Sequence, residues 1–108
     1  MLEQNLAHRA YLPEGWRELF ELLVLELHAL DPTLEVIQAK DKFGELRVYL
    51  RASSADAREA VEIASLRSKR MCQICGEEAV LRVSPDRISR TLCHDHREKF
   101  IPAKGDRT

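Results

Sequence analysis

The sequence predicts an α+β fold in which a helix, a β-hairpin and a second helix precede a small C-terminal module built around cysteine and histidine. Three observations support this. Apolar residues recur at helical spacing over residues 14–30, they alternate with polar residues over 46–51, and cysteine and histidine form two close pairs after residue 71. We therefore expect a helix–hairpin–helix core over residues 1–70 and a metal-binding module over residues 71–108.

The first helix is expected over residues 14–30, after a lead-in segment at 1–13, and the Asp-Pro pair at 31–32 ends it. Leu22 and Leu25 lie beside its apolar stripe. They are either buried under the lead-in segment or contact a partner protein or a second copy of the chain. The stripe itself comprises Trp16, Leu19, Phe20, Leu23, Leu27 and Leu30.

A β-hairpin is expected over residues 34–52. Its turn at 41–44 requires a positive φ at Gly44, and Phe43 is expected to pack over the edge of the core. Because side chains alternate along a strand, one face of the second strand meets the core. The side chains expected on that face are Leu46, Val48 and Leu50.

The opposite face of this strand carries Arg47, Tyr49 and Arg51. Two arginines beside a tyrosine could contact phosphate and a base, or a protein surface. The alternative is a solvated sheet face on which the arginine stems pack across the tyrosine ring.

The second helix is expected over residues 55–69, capped by the polar segment at 53–56. Ile63 and Leu66 point away from its small-residue stripe and are expected to receive the C-terminal module. The basic residues that end the helix, Arg67, Lys69 and Arg70, are favoured there by the helix dipole alone. The stripe expected to pack on the hairpin comprises Ala57, Ala60, Val61 and Ala64.

Two ligand pairs make the C-terminal module a candidate zinc site. Cys72 and Cys75 form a C-x2-C pair, and after a gap of seventeen residues Cys93 and His96 form a C-x2-H pair. All three cysteines are used, which indicates one structural zinc ion. His94 is expected to point about 100° away from the ligands on a helical turn.

The layout of the module predicts a treble-clef-like zinc finger. A knuckle at 72–76 precedes strands at 79–83 and 88–92, and a short helix at 93–100 supplies the last two ligands. The tail at 103–108 is polar and expected to be frayed.

The cysteine chemistry favours a structural role over an enzymatic one. A catalytic zinc keeps a position open for water, and three thiolates weaken its Lewis acidity. A thioredoxin-type redox pair needs a helix beginning at the first cysteine, whereas a helix is expected to end there. A His-Asn-His nuclease needs a histidine within 80–92, and this segment has none. No catalytic residue is therefore assigned.

Several motifs together resemble a group of small phage and bacterial proteins of unassigned function. The motifs are Gly15-Trp16, then Lys42-Phe43-Gly44-Glu45-Leu46-Arg47, then Cys72-Gln73-Ile74-Cys75-Gly76, then Thr91-Leu92-Cys93-His94-Asp95-His96. Proteins of this group share a K-F-G-x-L-R hairpin and a C-terminal C-x2-C-G…T-L-C-x2-H or C segment. The resemblance covers about residues 14–97 and implies the fold, the zinc ligands and a phage or bacterial origin, but no reaction.

These features favour a non-enzymatic module that binds another protein, as an inhibitor, neutraliser or adaptor. The formal net charge of −1 excludes a strongly basic nucleic-acid binder by composition. Cysteines kept free for a metal indicate a reducing compartment, so the cytoplasm is the expected location. No apolar run is long enough to span a membrane. We expect a monomer or a homodimer. The alternative is a nucleic-acid-binding zinc finger that uses Arg82, Arg87 and Arg90, with Arg67, Lys69, Arg70, Arg97 and Lys99 nearby.

Overall fold

The computed structural model describes residues 1–103 and confirms an α+β fold. Residues 104–108 of the predicted tail lie outside the described residues. Short 3₁₀ turns lie at His8–Tyr11, Glu14–Trp16 and His94–His96. The helices are α1 (Leu2–Ala7), α2 (Arg17–Leu30) and α3 (Ala55–Ser68), and the strands are β1 (Val36–Lys42), β2 (Glu45–Leu50), β3 (Val80–Val83), β4 (Ser89–Leu92) and β5 (Ile101–Pro102). No helix among residues 1–103 is both long and apolar enough to cross a membrane.

The main core lies between the two long helices and one face of the β1–β2 hairpin. Leu46 and Val48 face this core as predicted, and Leu50 packs at its edge. The small-residue stripe of α3 is also confirmed, since its three alanines are buried and allow a close approach to the hairpin. Leu30 departs from the prediction, because it is exposed at the end of α2. The largest fully buried side chains of this core are Trp16, Phe20, Leu27, Leu46 and Val24.

The lead-in segment forms a helix that the sequence reading missed. α1 packs on α2, and its Asn5 side chain is buried. The Asn5 amide donates to the Leu34 carbonyl and accepts from the Val36 N–H, both at 2.9 Å. This segment does not cover Leu22 and Leu25, which stay 56% and 50% exposed. The expectation that α1 buries them is therefore wrong.

The hairpin turn consists of Phe43 and Gly44, with φ of 55° and 83°. Positive φ at both positions is the backbone of a two-residue type I′ turn, and it confirms the prediction for Gly44. The prediction for Phe43 is wrong, because its side chain is 74% exposed instead of covering the core edge. A turn residue in the left-handed region directs its side chain away from both strands, so the ring meets solvent.

The C-terminal module does not pack on α3 as predicted. Ile63 and Leu66 remain 46% and 56% exposed. The module instead docks on the hairpin turn and on the start of α2. The Thr91 hydroxyl donates to the Gly44 carbonyl at 2.6 Å, and Trp16 Nε1 donates to the Met71 carbonyl at 2.8 Å.

The internal layout of the module matches the predicted hairpin but not the predicted helix. β3 pairs with β4 as an antiparallel hairpin, as expected. The segment expected to be helical at 93–100 forms one 3₁₀ turn, and the chain then returns as β5 on the other side of β3. The detailed treble-clef arrangement is therefore not confirmed.

Candidate metal centre

The first ligand pair is presented by a tight turn at residues 72–76. The Gly76 N–H donates to the Cys72 carbonyl at 2.8 Å, and Gly76 has a φ of 80°. The Cys72 N–H donates to the Glu77 carbonyl, also at 2.8 Å. A residue with a side chain would be strained at that φ, so glycine allows the turn to close behind Cys75.

The second ligand pair lies where β4 ends. Cys93 is the N-cap of the 3₁₀ turn, and the His96 N–H donates to the Cys93 carbonyl at 3.2 Å. This turn brings Cys93 Sγ and His96 Nδ1 to 3.2 Å from each other. Only one turn of the predicted helix is therefore needed to form the pair.

The four predicted ligand atoms converge on one point and could hold a metal ion. They all lie within 4.8 Å of one another. Cys75 Sγ lies 3.7 Å from Cys93 Sγ, and Cys72 Sγ lies 3.7 Å from His96 Nδ1. In a tetrahedral zinc site, ligand atoms at about 2.0–2.3 Å from the ion are about 3.6–3.8 Å apart. The spacing and the Cys3His donor set both fit zinc.

The surroundings of Cys72 and Cys75 shift the pKa values of their thiols in opposite directions. Burial raises the pKa of the Cys72 thiol, but N–H groups of Cys75, Cys93 and Ile74 donate to its sulfur and lower the pKa to about 6. The Glu77 N–H lowers the pKa of Cys75, yet desolvation and the sulfurs of Cys93 and Cys72 raise it to about 11. Adjacent thiolates repel each other, and a divalent cation removes that repulsion.

His94 stays outside the group of four ligand atoms. Its side chain is exposed, whereas His96 is half-buried and supplies Nδ1. The choice of His96 over His94, made from spacing alone, agrees with the geometry. The difference arises because neighbouring residues on a tight helical turn point in different directions.

Two residues that sequence reasoning did not assign hold the centre against the rest of the fold. The Gln73 side chain is buried and bridges two segments. Its Oε1 accepts the Thr91 N–H at 2.7 Å, and its Nε2 donates to Asp41 at 3.0 Å. Gly15 lies under the turn and donates its N–H to the Gln73 carbonyl at 2.9 Å. Gly15 belongs to the Gly-Trp motif, which was the only sequence signal for this contact.

The candidate contact residues along β2 and just after it are exposed, as predicted, but their charges are already paired. Arg47 Nε lies 3.2 Å from Glu45 Oε2, and Arg51 Nε lies 3.0 Å from Glu35 Oε1. The hydrogen bond from Arg51 lowers the pKa of Glu35. Tyr49 lies under the Lys40 ammonium, which is 5.8 Å from the ring centroid. This face therefore has the features of a solvated sheet surface.

The candidate contact residues of the C-terminal module lie on β3, on β4 and in the turn between them. Arg82 and Arg90 are opposite each other in the antiparallel register. Arg82 Nε donates to the Leu92 carbonyl at 2.8 Å, which fixes its guanidinium group. Arg87 is exposed in the turn, with a φ of 66°. None of the ion pairs within residues 1–103 includes any of these three arginines.

Comparison with protein-family models finds no match, and searches of curated proteins and of solved structures give no significant match. The resemblance to small phage and bacterial proteins therefore rests on the quoted motifs and remains an expectation.

Proposed function

We propose that this chain is a non-enzymatic zinc module that binds another protein. The observation that carries the proposal is the apolar surface formed by α2, α3 and the metal-binding turn. Three large aliphatic side chains in these segments are 45–56% exposed and line two adjoining cavities. Clustered apolar side chains at a surface are characteristic of protein–protein contact sites. The residues are Leu22, Ile63 and Ile74.

In this proposal, zinc holds one edge of the contact surface in place. Four protein ligands complete a tetrahedron and leave no position for a substrate or for water. Ile74 lies inside the C-x2-C turn, and its side chain is exposed beside the ligands. Zinc binding therefore fixes an apolar side chain at the surface, which reduces the entropy lost when a partner binds.

Affinity capture tests this function. Zinc-loaded protein carrying a C-terminal tag is incubated with lysate of a bacterial host, and bound proteins are quantified against the bait. We expect one protein to be retained in near-stoichiometric amount, and to be lost with the Cys75→Ser variant, which removes a zinc ligand. Absence of a specific partner at any stoichiometry would contradict the proposal.

Nucleic-acid binding is the second candidate function, and one observation favours it. A cavity of about 270 Å³ beside the metal centre is lined by Lys69, Arg70, Arg82 and His94, with Glu78 as its acidic residue. The three Lys and Arg side chains form no ion pair within residues 1–103. These cations also lie where they can offset the negative charge of a zinc–tris-thiolate centre.

Salt dependence distinguishes these two roles of the basic cavity. Phosphate binding predicts duplex DNA affinity that falls steeply as salt rises from about 50 to about 200 mM. Charge compensation at the zinc centre instead predicts that Lys69→Gln and Arg70→Gln weaken zinc retention. Absence of DNA binding at the lower salt concentration would remove the second candidate.

A further inference from the structure

We propose that the partner docks as a cationic amphipathic helix in a groove between α2 and α3 that continues onto the metal-binding turn. We call it the α2–α3 groove. This inference rests on the proposed protein-binding function and adds the chemistry of the partner. The groove consists of two adjoining cavities of about 50 Å³ and about 560 Å³. Leu19, Leu22 and Arg67 line both cavities, so the two form one continuous groove.

Exposed apolar side chains lie in both parts of the groove. The N-terminal part of α2 and the C-terminal end of α3 line the wide cavity, whereas Glu26 and Ala60 line the narrow one, so the two helices run antiparallel along the groove. Leu22 lies where the cavities join, Ile63 lines the narrow cavity, and Ile74 lines the wide one. Apolar side chains along a groove between helices accept residues at i, i+3, i+4 and i+7 of a docked helix.

The charged residues around the groove indicate that its occupant carries positive charge. Four carboxylates line it, and Arg67 is the one cation among its lining residues. No carboxylate of the rim has an ion-pair partner within the described part of the chain. Unpaired carboxylates beside an apolar groove complement lysine or arginine on the flanks of a partner helix. These carboxylates belong to Glu14, Glu18, Glu26 and Glu77.

The same charges argue against a second copy of this chain as the occupant. An isologous dimer places the same surface patch of each protomer against its partner. Contact through this groove would bring two acidic rims together, with only Arg67 on each side to offset four carboxylates. Like charges juxtaposed at an interface oppose association. A heterologous cationic helix has no such penalty.

Peptide binding to the zinc-loaded full chain tests the inference. The probe is a fifteen-residue amphipathic peptide of leucine and lysine, compared with a peptide in which every lysine is replaced by glutamate. We expect the lysine peptide to bind about tenfold or more tightly than the glutamate peptide, and its affinity to fall with added salt. Amide shifts should map to Leu22, Ile63 and Ile74. Equal affinities, or shifts confined to another face, would overturn the inference.

Three variants test whether the peptide binds in the α2–α3 groove. Leu22→Lys places a cation inside the groove and should abolish binding of the lysine peptide. Leu25→Lys is the matched control, because Leu25 is similarly exposed on the same helix but does not line the groove. Arg67→Gln removes the one cation of the lining and should tighten binding about twofold. Equal losses in Leu22→Lys and Leu25→Lys would overturn the groove assignment.

The two proposals fail in distinguishable ways. A lysate partner retained equally by wild type and by Leu22→Lys would leave protein binding intact and overturn the groove. Lysine-peptide binding in the groove without any captured partner would support the groove and count against the proposed function. Concentration-dependent dimerisation that Leu22→Lys abolishes would identify a second copy as the occupant and overturn the cationic-helix assignment.

Discussion

Gly15 lies in direct contact with the backbone of Cys72. A methyl group on its Cα would overlap the Cys72 carbonyl oxygen, the same atom that accepts the Gly76 N–H and closes the metal-binding turn. The start of α2 and the first metal ligand therefore share one tightly packed backbone contact. This contact links the stability of the helical core to the metal centre.

The substitution Gly15→Ala should destabilise the zinc-loaded protein by about 2 kcal/mol or more. The added methyl group meets backbone atoms, which cannot move aside as a flexible side chain can. Chemical denaturation of the zinc-loaded protein measures the effect. Glu14→Ala is the matched control, since Glu14 is an exposed neighbour in the same turn and should change stability by less than about 0.5 kcal/mol. Equal stability of the two variants would show that the contact is loose.

Removal of the metal should shift Trp16 fluorescence to longer wavelength. Trp16 is the sole tryptophan, it is fully buried, and its Nε1 donates to the carbonyl of Met71, the residue before Cys72. Losing the metal frees the turn and allows water to reach the indole. Restoring one equivalent of zinc should reverse the shift. An unchanged spectrum after complete metal removal would mean that the turn stays docked without its ion.

Several features were predictable because they depend on local sequence. The ligand set follows from residue spacing, the Gly44 turn follows from backbone sterics, and the hairpin faces follow from strand alternation. The docking of the C-terminal module was not predictable, since it depends on which surface of the helical core the module meets. Ile63 and Leu66 looked like the receiving surface, whereas the module docks on Gly15 and Gly44, which carry no apolar side chain to signal the contact.

Short elements were also missed, for a related reason. α1 has only six residues, and its burial depends on Asn5, whose amide pairs with the backbone of a segment about thirty residues away. The helix expected at 93–100 ended after one 3₁₀ turn, because the chain returns to pair with β3 at Val83 and Ile101. Long-range backbone pairing of this kind leaves little trace in local composition.

Mutation of the two neighbouring histidines should have unequal effects. His96→Ala removes a ligand atom and should weaken zinc binding by more than about 100-fold, beyond the usual loss when a residue that only orients a ligand is removed. His94→Ala should leave the affinity nearly unchanged, because the side chain is exposed and outside the ligand group. Competition with a chromogenic chelator measures both. A larger loss at His94 would reverse the ligand assignment.

The two residues of the hairpin turn should respond in opposite directions. Phe43→Asn should stabilise the protein by about 0.5–1 kcal/mol, because asparagine tolerates positive φ and Asn-Gly is the preferred type I′ pair. Gly44→Val should destabilise it by about a kcal/mol or more from backbone strain alone. A Cβ at Gly44 would also lie 2.6 Å from Leu81 Cδ1 and 3.3 Å from backbone atoms of Arg90 and Thr91. Thermal unfolding measures both, and a destabilised Phe43→Asn would show that the ring has a structural role.

The proposed zinc centre is tested most directly by zinc K-edge X-ray absorption combined with metal analysis of freshly purified protein. The arrangement of Cys72, Cys75, Cys93 and His96 predicts one zinc per chain. It also predicts three sulfur ligands at about 2.3 Å and one nitrogen at about 2.0–2.1 Å. Well under one zinc per chain, or a coordination shell dominated by nitrogen and oxygen, would contradict the account.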